Sequence, residues 1–110
     1  MLTNDGLIEE RSHLGGVQRL YRWGDMGLSL VNAPMLHAYA FAWEAAVFRY
    51  TGDEGVLDYS TELTSDVEVF ATDEEANAFI KCARVLFTPL THMGAPISRA
   101  DAKRISEDGP

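Results

Sequence analysis

The spacing of hydrophobic and polar residues changes character along the chain. Val17 to Trp23 is dense in β-branched and aromatic residues and predicts a strand. Gly24-Asp25-Met26-Gly27 follows, and glycines on both sides of a short polar step predict a tight hairpin turn. Leu28 to Val31 sets Leu28 and Leu30 against Ser29 and Val31, a second short strand. Asn32-Ala33-Pro34 ends it, because proline has no amide hydrogen to give a ladder.

From His37 to Val47 the odd positions are mostly bulky and the even ones mostly small, a split by size with period two. It predicts a strand over residues 42–50 with its large face in a core. The alanines between 38 and 46 leave a helix open for the first half of the stretch. Thr51-Gly52-Asp53-Glu54-Gly55 is a turn by composition. Val56 to Ser60 predicts a fourth strand, and residues 61–70 an irregular connection ending in an extended piece at 67–70.

The period then switches to that of a helix. Thr72-Asp73-Glu74-Glu75 is a capping box with three acids in the first turn, where they complement the helix dipole. Ala76, Phe79, Ile80, Ala83, Leu86 and Phe87 form an apolar stripe at three-to-four spacing, and Thr88-Pro89 stops it. Residues 1–16 predict a lead-in closed by Gly15-Gly16, from which Leu7 and Ile8 could still dock on the core. Residues 90–110 predict a tail, with one or two helical turns between Ser98 and Ile105. The expected architecture is a single α+β domain over residues 17–89. It would hold an antiparallel sheet of three to four strands with one C-terminal helix packed on one face.

At 110 residues and 46% hydrophobic, the chain suits one core and not two. Its 17 acidic and 9 basic residues leave a net charge of −8, which opposes direct nucleic-acid binding through phosphates. The charge is concentrated: residues 51–75 hold nine carboxylates and no cation. Such a segment repels phosphate and anionic lipid and attracts a basic protein surface, though solubility alone would also account for it. One cysteine, Cys82, excludes an intrachain disulfide and any zinc cluster built on cysteines. The first residues lack the basic and apolar regions of a secretory signal, and no apolar run approaches the ~20 residues of a membrane span. A cytoplasmic location is expected.

Candidate chemistry is sparse. Glu44 stands between Trp43 and Ala45 in an apolar stretch, so it must be paired, exposed or functional. A salt bridge to Arg19, Arg22 or Arg49 is the plainer reading. A buried Glu44 beside Arg22 and Arg49 would instead form a polar site able to hold a ligand or act as a general base. His13, His37 and His92 lie too far apart in sequence for a local metal site. Asp53, Glu54 and Asp58 lack the spacing of a calcium loop. Neither a nucleophile elbow nor a phosphate-cradling loop is present. Cys82 fits the margin of the helix stripe. Arginines beside aromatics, Arg19-Leu20-Tyr21-Arg22-Trp23 and Arg49-Tyr50, suit either ligand stacking or ordinary cross-strand pairing. No catalytic residue, metal or cofactor is expected, and an enzyme is the less favoured reading.

Four pieces together carry a resemblance: Tyr21-Arg22-Trp23-Gly24-Asp25-Met26-Gly27, Ala42-Trp43-Glu44-Ala45-Ala46-Val47, Leu57-Asp58-Tyr59-Ser60-Thr61 and Leu63-Thr64-Ser65-Asp66-Val67 ahead of a helix. In this order they resemble small uncharacterised proteins encoded by bacteriophages of actinobacteria, over about residues 17–87. The resemblance implies no activity and transfers no catalytic residue. It implies an accessory protein acting in the host cytoplasm. The expected function is therefore a non-enzymatic, acidic protein-binding module that modulates a host DNA-binding or defence protein. Its partner surface would be Asp53, Glu54, Asp58, Glu62, Asp66 and Glu68, and its partner a protein with a basic surface. The alternatives are a ligand site at Glu44 and a self-associating structural protein.

Overall fold

The computed structural model describes residues 1–32, 43–89, 95 and 97–108. Among these, six strands and two helices form an α+β domain. The strands are β1 (Leu7–His13), β2 (Gly16–Trp23), β3 (Met26–Asn32), β4 (Trp43–Thr51), β5 (Glu54–Leu57) and β6 (Glu68–Phe70); the helices are α1 (Asp73–Phe87) and α2 (Arg99–Asp108). β1 to β5 are neighbours in sequence order, each antiparallel to the next. β6 pairs with the first residues of β4, on the edge that β5 covers further along.

Three connections are two-residue hairpins. Leu14 and Gly15 both take positive φ, 47° and 81°, the pattern whose twist matches that of the flanking strands. Gly24-Asp25 and Gly52-Asp53 make the other two turns. The first hairpin is a correction to the expected lead-in. β1 pairs along its length with β2, and its Glu-Glu-Arg-Ser run has no apolar alternation to betray it. An edge strand held by backbone bonds and exposed on both faces has no reason to show such alternation.

The register sorts the sheet into two faces. Tyr21, Leu28 and Val47 stand in one row; Leu30 and Ala45 stand in the next. All five are fully buried, and α1 lies over this face with Ala76, Phe79, Ile80, Ala83 and Val85. The helix begins where its cap predicts: the Thr72 hydroxyl accepts from the Glu75 amide at 3.2 Å. Phe70 and Phe79 meet at 5.0 Å between ring centres, joining β6 to the helix.

The sheet has six strands where three to four are expected, and a full second helix stands where the sequence predicts one or two helical turns after Ser98. α2 is a ten-residue helix whose Ala102 is fully buried against the core. Ser98 caps it, accepting from the Asp101 amide. The Arg99 guanidinium holds both carboxylate oxygens of Glu68, at 2.6 and 3.1 Å, and the Leu63 carbonyl at 3.0 Å. That clamp joins residues 31 and 36 positions apart, so local sequence could not announce it. The open choice between helix and strand before residue 43 lies outside the described residues, as do His37 and His92.

Candidate functional site

The carboxylates of residues 51–75 fall into two groups. Asp58, Glu68 and Asp73 are committed to the fold. Asp58 accepts from the Ser60 hydroxyl and amide and from Arg49 Nε at 2.6 Å. Glu68 holds Arg99, as above. Asp73 accepts from the Trp43 indole at 2.8 Å and lies 2.8 Å from the amino group of Met1. The Ser60 hydroxyl and amide, followed by Arg49, hold the Asp58 carboxyl down at about 2, against an ordinary 3.8. Two of the six expected partner residues, Asp58 and Glu68, are therefore structural.

The others are exposed. Asp53, Glu54, Glu62 and Asp66 enter no ion pair among the described residues. Asp53 and Glu54 sit at the β4–β5 turn, and Glu62 and Asp66 on the loop from β5 to β6. Four apolar side chains accompany them. Val56 (55%), Leu57 (56%) and Val69 (57%) are more than half exposed, and Tyr59 is exposed too. The outer edge of the sheet thus presents apolar groups interleaved with carboxylates, where interface cores are apolar and their rims polar. The acids are legible in the sequence one by one; the exposure of the apolar residues beside them is not. It placed the fourth strand at 56–60, whereas the two-residue turn starts β5 at Glu54 and ends it at Leu57. The short strand leaves Tyr59 on a loop.

The second face of the sheet is concave. β1 and β5, at opposite ends of the strand order, line one hollow of about 350 Å³ with Leu20, Arg22, Phe48 and Tyr50. Arg22 closes its floor. Its Nε and Nη1 donate to the carbonyls of Gly24 (2.7 Å) and Gly52 (2.8 Å), tying two hairpin turns together, and its guanidinium lies 4.4 Å from the Tyr50 ring centre. Gly27 makes room: any side chain there would collide with the Tyr21 carbonyl and the Tyr50 ring. Arg11 is held by Gln18 and Glu9. The hollow's cations are thus engaged by the protein itself.

The proposed trio of Glu44, Arg22 and Arg49 is not brought together. Arg49 stands in the row of Trp23 and Met26, on the helix face, where it pairs with Asp58. Arg22 stands on the concave face. Glu44 shares that face but lies beside Val31 and Val69, four residues along β4 from Phe48 in the Arg22 row. At ~3.3 Å per residue that is about 13 Å. Arg19 is committed as well, to Glu10, Asn4, the Thr3 carbonyl and the Tyr21 hydroxyl. Cys82 is buried beside the Arg99 carbonyl, and burial pushes its thiol up, away from the reactive thiolate. No group of side chains that could hold a metal occurs among the described residues, and no described helix is long and apolar enough to cross a membrane.

The depressed Asp58 acid makes stability depend on pH. Its folded value lies below its unfolded one, so its contribution is complete above about pH 4 and is lost between about pH 4 and pH 2. Urea midpoints of wild type and Asp58→Asn should differ at pH 7 and converge as pH falls through that window. A gap that stays constant down to pH 2 would mean that the carboxylate contributes nothing through its charge.

A scan of family models and searches of curated proteins and solved structures each return no match to this chain.

Proposed function

We propose that the chain is a phage-type accessory protein that binds another protein and performs no chemistry of its own. The sheet edge from Asp53 to Val69 is the contact surface. Its partner is a host DNA-binding or defence protein, whose basic surface the carboxylates occupy where nucleic acid would sit. One observation carries this reading: Asp53, Glu54, Glu62 and Asp66 stand exposed, with no ion pair among the described residues, on the same edge as the exposed Val56, Leu57, Tyr59 and Val69. Apolar groups supply affinity on desolvation, and the charges supply steering and partner choice.

The test neutralises only the unengaged acids. Wild type and a variant with Asp53→Asn, Glu54→Gln, Glu62→Gln and Asp66→Asn are compared in pull-downs from host lysate. Wild type should retain a defined protein at ~0.1 M salt and release it near ~1 M, where the Debye length shrinks from ~10 to ~3 Å. The variant should retain none of it. Equal retention by both, or retention indifferent to salt, would refute the reading.

A further inference from the structure

We infer that the partner docks by strand addition: an extended segment with alternating basic and apolar side chains pairs with the outer edge of β5. This inference rests on the protein-binding reading above and specifies how the contact is made.

The ladder shows which backbone groups are on offer. The Asp58 amide donates to the Val47 carbonyl at 2.9 Å, so that pair is a hydrogen-bonded one. The register continues Leu57 with Phe48, Val56 with Arg49, Gly55 with Tyr50 and Glu54 with Thr51. Bonding alternates along an antiparallel ladder, so Val56 and Glu54 turn their N–H and C=O inward. Gly55 and Leu57 turn theirs outward, away from β4, and β5 is the last strand in the order.

Open edges are usually guarded by shortness, charge, proline, a bulge or a covering segment; β5 has the first two, being four residues long with Glu54 at its start. Glu54-Gly55-Val56-Leu57 has neither proline nor lysine and pairs with β4 without interruption. Glu54, Val56 and Leu57 are exposed, Gly55 is half-buried where it lines the hollow with β1, and no described residue bonds to the outward groups of Gly55 and Leu57. An added strand would gain backbone hydrogen bonds at Gly55 and Leu57, with Val56 and Leu57 as apolar neighbours on the two faces.

Charge selects the occupant. A second copy of this chain would bring its own Asp53 and Glu54 to the same edge, and like charges across a pair of strands are destabilising. A segment carrying lysine or arginine between apolar residues meets those acids with opposite sign. The acids therefore favour a basic partner strand and disfavour self-pairing.

The probe is a short synthetic peptide of alternating lysine and valine, titrated into the isotopically labelled full chain and followed by amide NMR. Hydrogen exchange is expected to slow at Gly55 and Leu57. Methylating alternate backbone nitrogens of the peptide leaves its charge unchanged and the protein untouched; it should weaken binding about tenfold, the equivalent of two lost hydrogen bonds. Leu57→Pro, which removes one outward donor, should weaken binding about threefold. If both peptides bind equally and the four-acid variant binds neither, the contact is one of charge alone; strand addition is then overturned while the protein-binding reading stands. If the peptide does not bind, strand addition is overturned, and the lysate comparison judges the parent reading separately. If light scattering shows a dimer in which Gly55 and Leu57 are already protected, the occupant is a second copy and the basic-segment proposal is overturned.

Discussion

Leu28→Ala is expected to destabilise the protein by about 3 kcal/mol, measured as a lowered urea midpoint with an unchanged slope. Leu28 is fully buried and stands in the row of Tyr21 and Val47, beneath α1. Removing its three outer carbons loses transfer energy and leaves a cavity that neither the sheet nor the helix can close. A domain of this size has a total stability of about 5–15 kcal/mol, so the loss is a large share of it. Val56→Ala removes carbons from a side chain that is more than half exposed on the edge, and its cost should stay within about 0.5 kcal/mol. If Leu28→Ala cost no more than Val56→Ala, the helix-covered face would not be the core.

Arg99→Ala is expected to cost about 2 kcal/mol and to loosen α2 selectively. Three interactions disappear together: the two-point contact with Glu68, the bond to the Leu63 carbonyl, and the position over the Phe79 ring at 5.2 Å. The ion pair is partly exposed, with side chains 42% and 27% accessible, so screening keeps its share to about 1 kcal/mol or less. The carbonyl bond and the ring contact add about 1 kcal/mol between them. Hydrogen exchange should quicken across residues 99–108, whereas α1 and β2–β4 stay protected. Uniformly faster exchange would show that α2 and the sheet unfold as one unit. Unchanged exchange would show that Ala102 and Ile105 hold α2 without the clamp. Glu68→Gln keeps the shape but not the charge and should fall between wild type and Arg99→Ala.

Half of the candidate surface is legible in the sequence. Acids are visible in a sequence one by one, so their concentration between residues 51 and 75 could be counted. Their engagement could not: Asp58 with Arg49 and Glu68 with Arg99 are partners across 9 and 31 positions. Val56, Leu57 and Val69 read as ordinary strand residues, because composition does not distinguish a buried strand from an edge strand. Glu44, Arg22 and Arg49 looked like a possible site because all three sit in strands. The parity of each position in its ladder then separated them onto different faces and rows.

Near neighbours specify the local elements: the β2–β3 hairpin, the strand expected over residues 42–50, and α1 with its Thr72 cap and apolar stripe. Each is specified by neighbours within a few residues, through steric limits on the backbone or a periodic apolar face. Long-range contacts make Leu7–His13 a strand, extend the helical turns after Ser98 into a helix docked through Ala102, and select which carboxylates are engaged. Those outcomes depend on backbone pairing and ion pairs between distant segments. Their free energy exists only once the chain has brought the segments together.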